Sequence, residues 1–193
     1  MCYDLTVPFA RYMAQHRTEL YLPFKRYHID KVWRGENTQR GRFREFMQCD
    51  FDIVGVDTLS ADFEIILLMK TAVQALGIDN FNIHLSNREL FNRFLEQLGI
   101  GDYSVEILRA IDKVSKIGEE KVSKMLGDAV TEKDAAKIID FIRIENSWSE
   151  TIEKCENLSG GPSVESAYIK QLYSYLGELG ITDFYTFDPS ITR

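Results

Sequence analysis

Two stretches of strand-like composition, Lys25–Trp33 and Arg44–Val54, flank a polar segment at residues 35–43 that contains two glycines. Aromatic and β-branched residues favour strands, and glycine-containing polar segments favour turns. The three segments together predict a β-hairpin with a long connection. This hairpin constrains the fold more than any other feature, because strand pairing decides which side chains share a face.

Side chains alternate between the two faces of a strand, so the second stretch separates into odd-numbered and even-numbered sets. The odd-numbered set is apolar and is expected to face the core: Met47, Cys49, Phe51 and Ile53. The even-numbered set places an aromatic ring among polar groups: Arg44, Phe46, Gln48, Asp50 and Asp52. We call this second set the polar track.

The order of groups along the polar track is cation, aromatic ring, amide and acid. At roughly 3.3 Å per residue, Phe46 and Asp52 would stand about 20 Å apart. That separation is near the length of an extended aminoacyl-adenylate, which has adenine at one end and an ammonium group at the other. A solvated face of a half-buried sheet is the alternative interpretation of the same pattern.

Basic residues are concentrated around the hairpin. Residues 11–44 contain nine Lys and Arg against three Asp and Glu, whereas the whole chain has a formal charge of −7. Guanidinium groups suit phosphate oxygens, because they bind two at once and stay charged. The basic segment therefore favours a polyphosphate ligand, with a solvated basic face as the alternative.

The composition, 45% hydrophobic and 27% charged over 193 residues, is typical of a globular protein with one domain or one domain and a small addition. No apolar run approaches the roughly 20 residues that cross a bilayer, and the N-terminus lacks the sections of a signal peptide. Cys2, Cys49 and Cys155 are scattered and lack metal-ligand spacing. Such thiols suit a reducing compartment, and we expect a cytoplasmic protein.

The pattern of predicted elements changes at Gly101. Before it strands and helices alternate, and after it three helices follow in succession, at about 104–117, 119–126 and 131–143. A polar stretch at 156–163, one further helix and a strand at Asp183–Phe187 complete the chain. We therefore expect an α+β fold in three parts: a core at 1–100, an all-helical insertion at 101–162 and a return to the core at 163–193.

Residues 3–12, 34–46, 48–55 and 187–193 together resemble segments of class II aminoacyl-tRNA synthetases and, among them, of the histidyl-tRNA synthetases. Residues 34–46 (RGENTQRGRFREF) are similar to the second class motif, a strand, loop and strand that hold ATP. Residues 3–12 (YDLTVPFARY) and 48–55 (QCDFDIVG) resemble segments of the histidine enzymes, and 187–193 (FDPSITR) resembles the lead-in to their second signature. The resemblance implies part of an antiparallel class II sheet flanked by helices, with a helical insertion.

For the amino acid, the resemblance implies a pocket of five residues. Asp4, Leu5 and Thr6 would contact the histidine substrate near its α-ammonium group. Asp52 would pair with that ammonium, because a buried cation requires a counter-charge. Gln48 would donate a hydrogen bond to the substrate carboxyl group during the attack.

For ATP, the resemblance implies a second set of residues. Arg34 would bind the α-phosphate, Glu36 would accept from the adenine amino group, and Phe46 would stack on adenine. Arg42 would reach the outer phosphates. Arg193 would be a mobile arginine that stabilises charge developing on the α-phosphorus. Arg34, Gln48 and Arg193 are thus the expected catalytic residues.

The reaction implied has two steps. L-histidine attacks the α-phosphate of ATP to give histidyl-adenylate and pyrophosphate, and the 3′-terminal ribose of tRNA(His) then takes the histidyl group. Mg²⁺ would bridge the ATP phosphates, although the sequence shows no dedicated cage for it. The resemblance also implies a homodimer, and an insertion that clamps the tRNA acceptor stem.

The main alternative is the synthetase-like regulatory subunit of ATP phosphoribosyltransferase, which acts in histidine biosynthesis and charges no tRNA. Two features favour the synthetase. A regulatory subunit that only senses histidine does not need the ATP-contacting residues, and it typically lacks the helical insertion. A synthetase-like module of a stress-sensing kinase would show eroded ATP residues, and these are intact.

The three histidines do not predict a metal site. His16, His28 and His84 lie on separate elements with no shared spacing. Cys49, on the apolar face of the second strand, is expected in the core rather than as a reactive thiol.

The first and third class motifs, the tandem tyrosines that follow the second histidine signature and the anticodon-binding domain have no counterpart in residues 1–193. We therefore expect this chain by itself neither to activate histidine nor to charge tRNA. The measurement is histidine-dependent exchange of labelled pyrophosphate into ATP by the purified chain, with heat-treated protein as background. Exchange above that background would contradict the expectation.

Overall fold

The computed structural model describes residues 1–191, which divide into two compact units with a boundary between Ala72 and Val73. The first unit contains helix α1 (Thr6–Gln15), strands β1 (Phe24–Trp33) and β2 (Glu45–Val54), and most of helix α2 (Leu59–Ala75). The second unit begins within α2 and contains β3 (Ile83–Leu85), α3 (Arg88–Gln97), α4 (Ser104–Ile111), α5 (Val114–Ile117), α6 (Glu119–Gly127), α7 (Glu132–Ile142), α8 (Trp148–Leu158), α9 (Val164–Glu178) and β4 (Tyr185–Phe187). Short 3₁₀ turns precede α4 and β4. The predicted α+β class is confirmed.

The predicted hairpin is present, and its two strands pair antiparallel over their whole length. The register runs from Phe24 opposite Val54 to Trp33 opposite Glu45. Because the register pairs even-numbered residues with even-numbered residues, the polar track of β2 shares its face with the even-numbered residues of β1.

The prediction that the odd-numbered face of β2 lies in the core is wrong. Met47 is 61% exposed and Cys49 is also exposed, whereas Phe51 and Ile53 are half-buried. In the first unit it is the even-numbered face that is covered, because α1 and the residues before it pack there. The ring of Phe9 lies 6.2 Å from the ring of Phe24. Alternation along a strand indicates that its faces differ, but it does not indicate which of them another element covers.

The core of the second unit is formed by aromatic and aliphatic side chains of its helices. Phe94 and Phe141 stack with ring centroids 4.3 Å apart, and both are buried. The Trp148 indole stacks on Tyr173 and donates a hydrogen bond from Nε1 to the carbonyl of Tyr185 at 3.0 Å. These contacts join the helices of this unit to β4, which pairs in parallel with β3. The sequence did not predict that parallel pairing.

The predicted helices after Gly101 are present with small differences in their bounds. The first divides into α4 and α5, and α8 continues to Leu158, three residues into the stretch expected to be a loop. The predicted boundaries after residues 100 and 162 differ from the unit boundary at Ala72, and they stay a prediction. Within residues 1–191 no helix combines the length and the apolarity needed to cross a membrane.

Glu156 is a buried carboxylate that the sequence placed in a loop. Lys170 Nζ contacts its two oxygens at 2.9 and 2.8 Å, and the Ser166 hydroxyl donates to one of them. Burial by itself would raise the pKa of this carboxyl, but the hydrogen bonds from Lys170 and Ser166 outweigh it and hold the pKa below its usual value. The ionised form therefore ties α8 to α9.

We expect Glu156→Gln to lower the free energy of unfolding by about 1 to 3 kcal/mol at pH 7, because a charge-assisted hydrogen-bond pair is lost. Since the folded pKa lies below the ordinary value of 4.5, the contribution of Glu156 is complete above that value and disappears as the pH falls through the folded pKa. Urea unfolding of the original chain and of the Glu156→Gln variant between pH 7 and pH 3 measures the difference in the free energy of unfolding. Glu153→Gln, at an exposed position of the same helix, is the control. A difference that persists unchanged at low pH would contradict the assignment.

Candidate active site on the even-numbered face of the hairpin

The antiparallel register builds the candidate site by pairing the residues of the polar track that lie in β2 with partners on β1. Phe46 is opposite Val32, Gln48 opposite Asp30, Asp50 opposite His28 and Asp52 opposite Arg26. The predicted residues of the hairpin are thereby arranged along one face, with Asp52 near one end and Phe46 near the other. The expected order of groups is therefore present in three dimensions.

At the acidic end, Asp52 forms an ion pair with Arg26. Arg26 Nε and Nη2 both lie 2.8 Å from Asp52 Oδ2, and Nη2 also donates to the carbonyl of Leu5 at 3.3 Å. Leu5 is 2% exposed. The structure thus brings together two of the predicted histidine-contacting residues, Leu5 and Asp52, through an arginine that the sequence reasoning did not select.

Asp4 and Thr6 belong to the start of α1. One carboxylate oxygen of Asp4 accepts a hydrogen bond from the backbone N–H of Val7 at 2.9 Å, which satisfies one of the free donors of the first helical turn. Thr6 is exposed. Within residues 1–191 neither side chain forms a hydrogen bond or ion pair with Gln48 or Asp52, and the predicted role of these two residues stays a prediction.

In the middle of the polar track, Gln48 links two charged groups. Its Oε1 accepts from Arg34 Nη2 at 3.3 Å, and its Nε2 donates to Asp50 Oδ1 at 2.7 Å. Arg34 also donates from Nε to the carbonyl of Tyr3 at 3.3 Å. Its guanidinium lies over the rings of Tyr3 and Phe46, 5.0 and 5.1 Å from their centroids. Arg34 and Gln48, two of the three expected catalytic residues, are therefore in direct contact.

At the basic end, the loop between the strands and Phe46 enclose a cavity of about 250 Å³. Its lining residues are Arg34, Glu36, Gly41, Arg42, Phe43 and Phe46. All four residues expected to bind ATP line this cavity. Glu36 and Arg42, assigned by resemblance to opposite ends of the nucleotide, form an ion pair at 3.1 Å in which both side chains are exposed. An exposed pair of this kind contributes at most about 1 kcal/mol, so a ligand can separate it at small cost.

Two features of the site were not predicted from the sequence. Arg26 could have been found by counting across the hairpin, because the residue directly opposite an acidic site residue is a natural ionic partner. Tyr3, whose ring and carbonyl both contact Arg34, has no comparable signal in the sequence. Arg193, the third expected catalytic residue, lies outside the described residues.

A model of the family described as histidyl-tRNA synthetase matches residues 1–193. The chain belongs to this family. The conclusion accords with the geometry, because Phe46, Gln48 and Asp52, three residues to which the resemblance assigns ligand contacts, lie along one face of the hairpin.

Individual relatives agree with the family match. The chain is 48% identical to a histidine–tRNA ligase of Treponema denticola, an alignment that covers 100% of this chain and 44% of the relative. It is 43% identical to the histidine–tRNA ligase of Treponema pallidum strain Nichols, over 99% of this chain and 45% of the relative. The chain thus spans less than half the length of these relatives.

Solved structures share the fold. The histidyl-tRNA synthetase of Nostoc sp. PCC 7120 superposes with a TM-score of 0.88 at 31% identity, covering 100% of this chain and 46% of that one. A protein of Bacillus halodurans C described as an ATP phosphoribosyltransferase regulatory subunit/histidyl-tRNA synthetase superposes with a TM-score of 0.79 over 98% of this chain and 49% of that one. At 21% identity this second likeness shows the fold alone.

We expect Phe46→Ala to weaken ATP binding by about 1 to 3 kcal/mol, the usual contribution of a base stacked on an aromatic ring. Calorimetric titration with ATP, in a protein that carries this sequence at the full length of its relatives, measures the change. Met47→Ala is the matched control, because Met47 is the next residue on the same strand but lies on the opposite face. Equal losses in the two variants would indicate a general effect on the strand rather than a contact with adenine.

Proposed function

We propose that this chain forms the ATP-binding and histidine-binding part of a histidine–tRNA ligase. The observation that carries the proposal is the polar track itself. A cavity lined by Arg34 and Phe46 and an acidic group at Asp52 lie on one face of one hairpin, in the order that an aminoacyl-adenylate requires. Membership of the histidyl-tRNA synthetase family supports the choice of histidine as the amino acid.

The first chemical step follows from the groups on this face. An oxygen of the histidine carboxylate attacks the α-phosphorus of ATP, and the bond from that phosphorus to the departing pyrophosphate breaks. Negative charge on the α-phosphoryl oxygens is stabilised by the guanidinium of Arg34. Because Arg34 is already held by Tyr3 and Gln48, little reorganisation accompanies its action.

Gln48 would orient the carboxylate of the substrate. One Nε2 hydrogen is committed to Asp50, which leaves the second N–H of the amide for the substrate. Asp52 would receive the α-ammonium, and Arg193 would add a second cation at the α-phosphate. In the second step the 3′-terminal ribose of tRNA(His) attacks the carbonyl carbon of the adenylate, and AMP leaves.

The described residues do not fit a protein-held Mg²⁺ in this cavity. Glu36 is the carboxylate among the lining residues, and it is paired with Arg42. Within residues 1–191 no three or more His, Cys, Asp and Glu side chains are grouped as a metal would require. A magnesium ion accompanying ATP would therefore be held mainly by the phosphates, as Mg²⁺ commonly is.

The partners that follow from this function are L-histidine, ATP and tRNA(His). By family resemblance we add a homodimer, an insertion that contacts the tRNA acceptor stem, and a cytoplasmic location. The regulatory subunit of ATP phosphoribosyltransferase remains the alternative. It is disfavoured because the four residues expected to bind ATP line one cavity, and because relatives at 39–48% identity are histidine–tRNA ligases.

The test uses a protein that carries this sequence at the full length of its relatives. We expect histidine-dependent exchange of pyrophosphate into ATP and charging of tRNA(His). Histidine binding without exchange would favour the regulatory alternative. Pyrophosphate exchange that depends on another amino acid and not on histidine would contradict the assignment of histidine as the substrate.

Within the same assay, Asp52→Asn should raise the KM for histidine about tenfold or more and leave the KM for ATP unchanged, because a charge-assisted contact to the ammonium is lost. Glu45→Gln is the control, since Glu45 is a carboxylate of the same strand on its opposite face. An unchanged KM for histidine in Asp52→Asn would refute the assigned role of Asp52.

A further inference from the structure

Arg26 is a half-buried cation that several groups of the first unit hold in place. Its side chain is 12% exposed, and its guanidinium contacts α1, both strands and the residue that precedes α1. The guanidinium carbon lies 3.7 Å from the centroid of the Phe9 ring, and Nη1 lies 3.0 Å from His28 Nδ1. Such a side chain is held in one orientation and is not a solvated surface group.

Two nitrogens of the Arg26 guanidinium contact a single carboxylate oxygen of Asp52. Nε and Nη2 both contact Oδ2, at 2.8 Å each. Across the described part of the chain, Asp52 Oδ1 has no hydrogen-bond partner, and the Asp52 side chain is 31% exposed. The carboxylate therefore has one fixed oxygen and one oxygen whose lone pairs are free to accept a hydrogen bond.

The same guanidinium is also tied to the backbone at the start of α1. Arg26 Nη2 donates to the carbonyl of Leu5 at 3.3 Å, and that carbonyl accepts from the backbone N–H of Phe9 at 3.3 Å as well. Both lone pairs of the Leu5 carbonyl are therefore in use, and it serves to anchor the guanidinium. The acceptor left for a substrate ammonium is Asp52 Oδ1, whose direction this anchoring sets.

We propose that Arg26 is a positioning residue for recognition of the substrate α-ammonium group, because it holds Asp52 by Oδ2 and leaves Oδ1 free to accept a hydrogen bond from the ammonium. This inference rests on the proposed function, in which Asp52 receives the ammonium. Arg26 also neutralises the charge of Asp52, so the ammonium is recognised by the direction of Asp52 Oδ1 more than by net negative charge. A competing role, in which Arg26 occupies the ammonium site until the substrate displaces it, is opposed by the contacts to Phe9, His28 and Leu5.

The test replaces Arg26 in a protein that carries this sequence at the full length of its relatives, and it uses two competitive inhibitors. Histamine has the imidazole and the amine without the carboxylate, and imidazolepropionate has the imidazole and the carboxylate without the amine. In Arg26→Met we expect the inhibition constant of histamine and the KM for histidine to rise about tenfold or more. We expect the inhibition constant of imidazolepropionate, the KM for ATP and kcat to change by less than about threefold.

Two further variants control for stability. Arg26→Lys keeps the positive charge but loses the fork, and it should give an intermediate rise in the histamine constant. If Arg26→Met does not fold, the same two inhibitors compared in Arg26→Lys decide the question. Lys25→Met, at the neighbouring position on the opposite face of β1, should leave both constants unchanged.

The double variant separates this inference from the proposed function. If Arg26 acts through Asp52, Arg26→Met should have little further effect on histamine in the Asp52→Asn background. If Arg26→Met weakens the binding of both inhibitors equally, or if it binds histamine more tightly, the positioning role is overturned while the proposed function stands. Unchanged histamine binding in Asp52→Asn would instead refute the ammonium contact itself, and the inference would fail with it.

Discussion

The register of the β1–β2 pairing is the constraint on which the rest of the candidate site depends. A shift by one residue would move Phe46, Gln48 and Asp52 to the opposite face and would separate Asp52 from Arg26. The register also determines which groups share the even-numbered face, because the even-numbered residues of both strands lie together there.

Charge is distributed unevenly along this face, and each end suits a different kind of ligand. The loop end carries Arg34 and Arg42 around a cavity, an arrangement suited to phosphate oxygens. The other end combines Asp52 with the half-buried cation of Arg26, so the net charge of this pair is close to zero. The phosphate end would attract its ligand by charge, whereas the acidic end would select its ligand by the direction of hydrogen bonds.

Much of this arrangement could be predicted from the sequence, and the exceptions have physical causes. The strands, the loop and the order of the polar track followed from alternation and from the family resemblance. Which face is covered did not, since that depends on where α1 packs, and α1 is distant in sequence from β2. The exposure of Met47 and Cys49 and the contact of Arg26 with Leu5 are both consequences of that packing.

The second unit shows the same division between local and distant information. Thr131 caps α7, and the Asp134 backbone N–H, three residues along the chain, donates to the Thr131 hydroxyl at 3.2 Å. Glu156 was placed in a loop because its neighbours are polar and glycine-rich. It is helical and buried because Lys170 and Ser166, which lie on the next helix, satisfy its carboxylate. A capping contact within one helix can be predicted from the sequence, whereas a partner on another helix cannot.

The exposed apolar strip on the odd-numbered face of the hairpin has a consequence for the behaviour of the chain in solution. Tyr27, Ile29 and Met47 stand on one surface of a two-stranded sheet, 79%, 56% and 61% exposed. Each strand of such a sheet also presents one edge without a strand partner in the described part of the chain. Flat apolar surfaces beside open edges favour association between molecules. At high concentration the molecules would associate with one another through this strip. Charged substitutions in the strip would suppress that association and leave the polar track on the other face in place.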